Sequence, residues 1–306
     1  MIKLANRITH PSKMKKMLRI MYKKSEGIIS KSGLDRFEVV QNLGRCVRSP
    51  LKSDNVEIDG HKMFLDSLDS LRLSINGVYE EFETEIVKKI IKKGDVVVDV
   101  GANIGYYTLI FAKLVGKEGK VFAFEPEPTN FNILKKNVKI NEYENVTLIN
   151  KAVSNKTGKM TLDLDEINKG GHSISKNNSE KTIEIESIRL DDYFKTYYGK
   201  INFIKLDIEG AEVEAIKGMS EILGKNEEAN IMAEYNPQSL SNLGTNSEEY
   251  LTSLMKFGFK IYDLDAGRKK MVPIDSRIDL KKYKLKTWTN LLCLRENFEK
   301  FRLNFT

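Results

Sequence analysis

The chain of 306 residues is 41% hydrophobic and 30% charged, a composition typical of a folded globular protein rather than a disordered one. Its formal net charge of +7 comes from the N-terminus: residues 1–36 hold ten Lys or Arg and two acids, whereas the other 270 residues hold 40 basic and 41 acidic side chains. No apolar stretch approaches the roughly 18 residues that span a bilayer and no signal-peptide core opens the chain, so we expect a cytoplasmic protein.

The first predicted element is an amphipathic helix in residues 13–24, "KMKKMLRIMYKK". Met14, Met17, Leu18 and Met21 follow the i, i+3, i+4, i+7 spacing of one helix face, and basic residues surround them. We expect this apolar stripe to pack on the domain core. A peripheral contact with a membrane surface, a partner helix or nucleic acid remains an alternative.

Residues 56–95 contain two further predicted elements. The stretch "VEIDGHKMFLD" predicts a short hairpin that turns at Asp59 and Gly60. The stretch "GVYEEFETEIVKKIIKKGD", residues 77–95, predicts a helix that Gly94 ends. This helix would lead directly into the first strand of a nucleotide-binding type of fold.

The stretch "VVVDVGANIGYYT", residues 96–108, joins a buried parallel strand to a helix. Gly101 and Gly105 lie at the turn between them. In open α/β sheets, ligands bind at such a turn, outside the carboxyl end of a strand and against a helix N-terminus.

Strands and helices alternate through the rest of the chain, which predicts an α/β fold with a doubly wound, mostly parallel sheet. Residues 158–190 depart from this alternation of strands and helices. Their apolar and polar side chains alternate at period two on both sides of a polar stretch, so we interpret them as an inserted β-hairpin with a mobile tip over the ligand-binding edge of the sheet. The predicted strands span residues 96–100, 121–124, 146–149, 201–206, 231–234, 259–262 and 290–294, and the predicted helices span 106–115, 129–141, 211–223 and 247–257.

The glycine loop excludes two common ligands. A dinucleotide fingerprint requires a second glycine where this chain has Asn103, and a P-loop requires a Gly-Lys-Ser or Gly-Lys-Thr that is absent here. A nucleoside with a compact charged tail and no phosphate remains, which is the shape of S-adenosylmethionine. Glu125 agrees with this: it follows a strand 24 residues after Gly101, where a carboxylate binds ribose hydroxyls in this architecture.

Several ordered stretches resemble the FkbM-type methyltransferases, a family that uses S-adenosylmethionine and has the class I, Rossmann-like fold. The resemblance covers about residues 56–296. We interpret residues 56–306 as the methyltransferase domain and residues 1–55 as a basic N-terminal extension with an amphipathic helix, outside the resemblance. The stretches are "GVYEEFETE", "GDVVVDVGANIGYYTLIFAK", "VFAFEPEPTNF", "LINKAVSNKTG", "IRLDDYF", "INFIKLDIEGAEVEAIKG" and "NLLCLRE".

The resemblance implies roles for particular residues. Glu125 would bind the ribose hydroxyls, Ala152 and Val153 would flank the adenine, and Thr108 would help to close the loop. Members of the family mostly methylate hydroxyl oxygens of sugars or secondary metabolites. The residues that would line the methionine and ribose portion are Asp99, Gly101, Asn103 and Gly105.

Acidic residues at the end of the strand "INFIKLD" are candidates for the transfer step. We expect Asp207 to face the sulfonium and the acceptor, and Glu209 to orient the acceptor or accept its proton. Glu209 and Glu212 could instead cap the following helix. His172, in a Gly-Gly-His-Ser loop, is a further candidate base because histidine titrates near neutrality.

A divalent cation is a possible but not an expected cofactor. Glu234 ends a predicted strand and could join Asp207 in binding a metal that lowers the pKa of the acceptor; a hydrogen-bonded acid at a strand end is the alternative. The following "YNPQ", residues 235–238, departs from the N-P-P-[YF] signature of amino-group methylation, so we interpret it as a loop.

Three functions remain open at the level of sequence. The first is O-methylation of a saccharide or related metabolite, lipid-linked if the basic helix lies on a membrane. The second is methylation of RNA or protein, although the basic N-terminus offers only Tyr22 and Phe37 for base stacking. The third is a cofactor-binding module without catalysis, against which Asp207 and Glu209 argue.

Overall fold

The computed structural model describes residues 52–164, 173–174, 181–197, 199–275 and 288–295, together with five helical positions near the N-terminus. The chain divides into two compact units, residues 1–79 and residues 80–306. His172, Met14 and the tip of the inserted hairpin lie outside the described residues. The five helical positions are Met17, Leu18, Met21, Tyr22 and Ser25.

In the first unit, the strands β1 (Asn55–Ile58) and β2 (His61–Phe64) pair antiparallel. Asp59 and Gly60 both have positive φ angles at the turn, as a two-residue hairpin requires, which confirms the predicted hairpin. A short helix, α1 (Leu73–Asn76), follows. Met17, Leu18 and Met21 are exposed, so the structure does not place these three side chains in a core.

The second unit begins with helix α2 (Glu81–Ile90), which is shorter than the predicted 77–95. Glu80 precedes it with a left-handed φ of 44°, and Ile91 follows it in an extended conformation, so the helix cannot continue at either end. Its buried face includes Phe82, Ile86 and Val87.

The central sheet confirms the predicted α/β class. Its eight strands lie in the order β13-β12-β14-β11-β10-β3-β4-β5, and the five from β11 to β5 are parallel to one another. The chain runs from β3 outward on one side and returns to β10 on the other, so β3 and β10 form the topological switch point. The strands are β3 (Val96–Val100), β4 (Lys120–Phe124), β5 (Val146–Ile149), β10 (Phe203–Leu206), β11 (Asn230–Tyr235), β12 (Lys260–Asp265), β13 (Lys270–Ile274) and β14 (Thr289–Leu294).

Helices pack on both faces of this sheet around a core of Val, Ile, Leu and Phe side chains. The predicted helix 211–223 is divided at Met219 into two helices. The helices that follow α2 are α3 (Tyr106–Val115), α4 (Pro128–Ile140), α5 (Leu190–Tyr193), α6 (Glu212–Gly218), α7 (Ser220–Lys225), α8 (Pro237–Asn242) and α9 (Ser247–Lys256).

Residues 235–238 are not a loop, so this interpretation of the sequence was wrong. Tyr235 ends β11, and helix α8 starts at Pro237. The reason is local: the Asn236 side chain accepts a hydrogen bond from the Ser239 backbone N–H, and proline has a φ that suits the first position of a helix.

The inserted hairpin is confirmed and is part of a second sheet. Strands β7 (Gly158–Asp163) and β9 (Thr182–Ile188) pair antiparallel, and the sheet has the order β6-β9-β7-β8, with β6 (Ala152–Val153) and β8 (Ser173–Ile174) added at its edges. A small cluster of Ala152, Leu162 and Ile185 fills its apolar face. Among all described helices, none is long and apolar enough to cross a membrane.

Candidate active site

The glycine loop between β3 and α3 requires glycine at two positions. Gly101 has φ +82°, and a Cβ there would lie 1.8 Å from the Asp207 backbone oxygen. Gly105 has φ +96°, and a Cβ there would lie 2.6 Å from Leu134 Cδ1. Gly101 therefore lies directly against the residue that follows β10, and Gly105 lies against α4, so neither position has space for a side chain.

Glu125, which follows β4, accepts one backbone hydrogen bond on each of its two carboxylate oxygens. The backbone N–H of Asn103 donates to Oε2 and that of Glu127 donates to Oε1, each at 2.8 Å. Asn103 has a left-handed φ of 50°, which turns its N–H toward this carboxylate. Burial raises the pKa of Glu125 to about 8, although the two donors oppose the shift. The structure thus brings the predicted acid and the glycine loop into direct contact, and the binding of ribose hydroxyls by Glu125 stays a prediction.

Asp99, at the carboxyl end of β3, is fully buried beside the same loop. Thr108 donates its hydroxyl hydrogen to Asp99 Oδ2 at 2.6 Å, which fixes the carboxylate in place. Asp99 Oδ1 is buried and has no hydrogen-bond partner among the described residues. Burial also raises the pKa of Asp99. A buried hydrogen-bond acceptor at the ligand-binding edge of the sheet is suited to a hydrogen-bond donor of a bound molecule.

Ala152 and Val153 follow β5 at the same edge of the sheet and are buried. Val153 packs in the main core and Ala152 in the core of the second sheet. Their contact with an adenine remains a prediction.

The buried Lys205 and the half-buried Asp207 form an ion pair that the sequence analysis did not identify. Lys205 pairs with Asp99 in the register of β10 and β3, and its Nζ lies 2.6 Å from Asp207 Oδ2. The same Nζ lies 4.7 Å from the centroid of the Tyr107 ring. Burial lowers the pKa of Lys205, but the charges of Asp207, Asp99 and Glu80 outweigh it and the net shift is upward. A lysine inside the apolar strand "FIKL" was the available signal.

Glu80 completes this group from the segment before α2. It accepts hydrogen bonds from the Tyr107 hydroxyl and the Asn290 side-chain amide, each at 2.8 Å. Burial raises its pKa to about 7; Lys205 opposes the shift and Asp207 adds to it. The sequence motif "GVYEEFETE" contained Glu80 but gave no reason to place it at the switch point.

The loop after β10 holds the other predicted acids. The Glu212 carboxylate accepts from the backbone N–H groups of Gly210 at 3.1 Å and Ile208 at 3.3 Å, so Glu212 shapes the loop. Glu209 is half-buried at a left-handed φ of 51°, a conformation that for residues other than glycine is concentrated at functional sites. The next residue, Gly210, has no space for a side chain, because a Cβ there would lie 2.5 Å from the Ser239 backbone.

Glu234 lies one strand further, near the end of β11. Its Oε1 accepts from the Trp288 indole N–H at 2.6 Å, whereas Oε2 is buried without a hydrogen-bond partner among the described residues. Burial raises the pKa of Glu234, and the charges of Asp207, Glu209 and Glu212 raise it further. A search of the described residues found no group of three or more His, Cys, Asp or Glu side chains that could hold a metal ion.

Together these residues fit S-adenosylmethionine. The Gly101 loop leaves room for close approach, Glu125 has both oxygens oriented by backbone donors, and Asp99 offers a buried acceptor. A class I sheet with this loop and acid defines an S-adenosylmethionine-dependent methyltransferase.

The comparison with known families agrees. The family model described as the methyltransferase FkbM domain matches residues 99–261, which is more than half of the chain. The chain belongs to this family.

Two curated relatives carry methyltransferase names. "Methyltransferase sdnD" from Sordaria araneosa is 28% identical over 178 residues, which cover 47% of this chain and 68% of that protein. "Hexuronic acid methyltransferase AglP" from Haloferax volcanii is 30% identical over 146 residues, which cover 46% of this chain and 58% of that protein. A solved S-adenosylmethionine-dependent O-methyltransferase from Thermotoga maritima is 14% identical with a TM-score of 0.38, and covers 71% of this chain and 66% of that one.

Proposed function

We propose that this enzyme transfers a methyl group to a hydroxyl oxygen of a saccharide or a related metabolite. The observation that carries the proposal is the Asp207 carboxylate, held by Lys205 at the switch point beside the glycine loop. The similarity to AglP, which is named a hexuronic acid methyltransferase, supports a sugar acceptor.

S-adenosylmethionine, when bound, supplies an electrophilic methyl carbon on a sulfonium. The residues of this chain would position the reactants, balance charge and accept the proton. Glu125 and Asp99 would fix the cofactor's position, and positioning of the reacting atoms supplies much of the rate in such a displacement. The Asp207 anion offsets the positive charge of the sulfonium, and Lys205 holds the orientation of that carboxylate.

An alcohol becomes a better nucleophile when a base accepts its proton. Asp207 and Glu209 are the two candidates at this edge, and a positioned base contributes about 10²- to 10⁴-fold to the rate. Asp207 or Glu209 would accept the hydroxyl proton as the acceptor oxygen takes the methyl group, and the cofactor would leave as S-adenosylhomocysteine. His172 stays a sequence prediction because it lies outside the described residues.

Transfer of radiolabelled methyl to a fractionated extract tests the proposal. The extract is separated into lipids, soluble saccharides, RNA and protein, and the variants Asp207→Ala and Glu125→Ala are assayed in parallel. We expect label in the saccharide or lipid-linked fraction, lost in both variants. Glu228→Ala, which removes an exposed acid that pairs with Lys200, is the matched control and should keep full activity.

Other outcomes separate the alternatives. Label in RNA or protein would contradict the sugar proposal and support a role for the basic N-terminus in binding such a partner. Cofactor binding without any transfer would support a non-catalytic module.

We further propose that residues 13–24 contact a membrane surface, so that the cytoplasmic enzyme reaches lipid-linked acceptors. Met17, Leu18 and Met21 are 51%, 39% and 59% exposed, among basic neighbours in the sequence. Sedimentation with phosphatidylserine vesicles should deplete the protein from solution, and Met17→Ser with Met21→Ser should abolish the depletion. Equal recovery of both proteins in the supernatant would contradict this contact.

A further inference from the structure

Glu80 occupies a costly position directly before α2. Its backbone has a left-handed φ of 44°, which residues other than glycine adopt only where the surrounding structure holds them. It stands at the N-cap of the helix, yet its side chain makes no hydrogen bond to the first turn, where a capping oxygen would stabilise the helix. The local needs of α2 therefore do not explain a glutamate at this position.

Both carboxylate oxygens of Glu80 accept hydrogen bonds from other elements of the second unit. Oε2 accepts from the Tyr107 hydroxyl of α3, and Oε1 accepts from the Asn290 side-chain amide of β14, each at 2.8 Å. Two donors on separate elements fix the direction of the carboxylate, and hydrogen bonds to a charged acceptor are stronger than those between neutral groups. Glu80 thus fixes the Tyr107 ring through its hydroxyl.

Tyr107 transmits this constraint to Lys205. The ring is buried, and Lys205 Nζ lies 4.7 Å from its centroid, within the range in which an aromatic face attracts a cation. The same Nζ lies 2.6 Å from Asp207 Oδ2. Because a lysine side chain is flexible, its ammonium needs such contacts to stay in one place. The contacts form one continuous path from Glu80 through Tyr107 and Lys205 to Asp207.

Asp207 is the end of this path that a ligand at the edge of the sheet would meet. The Asp207 side chain is 26% exposed, whereas the Lys205 side chain is 5% exposed. An acceptor would therefore contact the carboxylate and not the ammonium behind it. An effect of Glu80 on the position of Lys205 would reach the acceptor through Asp207.

Charge connects the two ends of the path as well. The Lys205 charge opposes the rise in the pKa of Glu80, and the Asp207 charge adds to that rise, so both groups lie close enough to act on Glu80. Asp99 acts on the same ammonium, and Glu83 of α2 is a further buried acid close to the amide that Glu80 binds. An ionised Glu80 therefore takes part of the Lys205 charge that would otherwise balance Asp207.

We infer that Glu80 is a positioning residue for methyl transfer, which acts through Tyr107 and Lys205 to hold the Asp207 carboxylate toward the acceptor. The inference rests on the role proposed above for Asp207. It predicts that loss of the Glu80 charge slows the transfer and leaves cofactor binding intact, because the Glu80 carboxylate bonds to Tyr107 and Asn290 and not to the residues expected to hold the cofactor.

A double-mutant cycle on the initial methylation rate tests whether Glu80 acts through Asp207. Wild type, Glu80→Gln, Asp207→Asn and the double variant are assayed with saturating radiolabelled S-adenosylmethionine and the whole extract as acceptor, at about pH 8.5, where Glu80 is ionised. We expect Glu80→Gln to lower the rate about 10- to 100-fold beside Asp207, and less than about twofold beside Asn at position 207. Calorimetry should give Glu80→Gln the wild-type affinity for S-adenosylhomocysteine.

A second cycle keeps Asp207 in place and pairs Glu80→Gln with Tyr107→Phe. The Phe variant keeps the ring beside Lys205 and removes the hydroxyl that Glu80 holds. Each single variant should lower the rate, and the double variant should be no slower than the slower of the two. Glu81→Gln removes the neighbouring acid, whose side chain is 61% exposed, and is the matched control that should keep the full rate.

Failure of the inference is distinguishable from failure of the proposed function. Equal losses from Glu80→Gln with and without Asp207, additive losses in the second cycle, or weaker binding of S-adenosylhomocysteine by Glu80→Gln each overturn the inference and leave the proposed O-methylation standing. Label in RNA or protein, and none in the saccharide or lipid-linked fraction, overturns the proposed function, and the two cycles on that label still decide the role of Glu80.

Discussion

At the scale of single residues, the site depends on buried carboxyl groups whose ionisation is costly. Glu125 is the clearest case: it is buried, and its two oxygens already accept backbone hydrogen bonds that favour the ionised form. Its pKa of about 8 is the balance between the larger effect of burial and the opposing effect of these donors.

Cofactor binding should therefore depend on pH. Below a pH of about 8, Glu125 is increasingly protonated, and a neutral carboxyl accepts less strongly from the ribose hydroxyls. We expect the affinity for S-adenosylhomocysteine to rise between about pH 6 and about pH 8.5, as measured by calorimetry. Glu125→Gln should bind more weakly and lose most of this pH dependence. An unchanged pH profile in that variant would remove Glu125 from the ribose site.

The ion pair of Lys205 and Asp207 permits a matched comparison of stability. Lys205→Met leaves Asp99, Asp207 and Glu80 without their buried cation, so we expect the free energy of unfolding to fall by about 3 kcal/mol. Lys200→Met removes an exposed pair with Glu228 and should cost at most about 1 kcal/mol. Urea denaturation of the two variants measures the difference; similar losses would mean that Lys205 is not buried among these acids.

At the scale of elements, the turn between β3 and α3 has a strict geometry. Gly101→Ala should abolish cofactor binding and lower stability by several kcal/mol, because its Cβ would overlap the Asp207 carbonyl oxygen at a positive φ. Gly224→Ala is the control: apart from its chain neighbours and the backbone of its own helix, no atom lies within 4 Å of a Cβ there, and alanine in this helix should stabilise the protein by up to about 1 kcal/mol. Thermal unfolding and calorimetry with S-adenosylhomocysteine check both. Normal binding by Gly101→Ala would refute the close approach.

Sequence patterns predicted the elements that have strong periodicity or apolar runs. The strands at Val96–Val100 and Lys120–Phe124, with the glycine turn, were predictable because buried parallel strands are continuous in hydrophobicity. Strand β13 was missed because Lys270–Ile274 contains Pro273 and is partly exposed, as an edge strand permits. Glu80 and Trp288 were missed because a left-handed turn and a distant strand bring them to the site, and neither has a local signature.

At the scale of the whole molecule, buried acids determine how stability changes with pH. Burial raises the pKa of Glu80 to about 7, of Glu212 to about 7 and of Glu125 to about 8, above their value of 4.5 in an unfolded chain. At pH values between 4.5 and these raised pKa values, the folded protein keeps carboxyl protons that the unfolded chain has released. The stability that these three groups contribute is therefore fully present below about pH 4.5 and is lost as the pH rises through about 7 to 8.

The ligand-free protein should accordingly unfold at a lower temperature at about pH 8.5 than at about pH 6. Calorimetric scans at several pH values measure this slope. Glu125→Gln should reduce it, because that side chain no longer titrates. A stability that rises over this range would show that groups other than these buried acids dominate the titration.

The reversed direction of β14 brings the C-terminal part of the described chain to the ligand-binding edge of the sheet. Because β14 runs antiparallel to β11, its beginning lies at the ligand edge, and Trp288 and Asn290 reach that edge from the last described part of the chain. The glycine turn and Glu125 come from the first third of the same domain. Changes in sequence near Trp288 and Asn290 can thus alter this edge of the sheet while the glycine turn and Glu125 stay as they are.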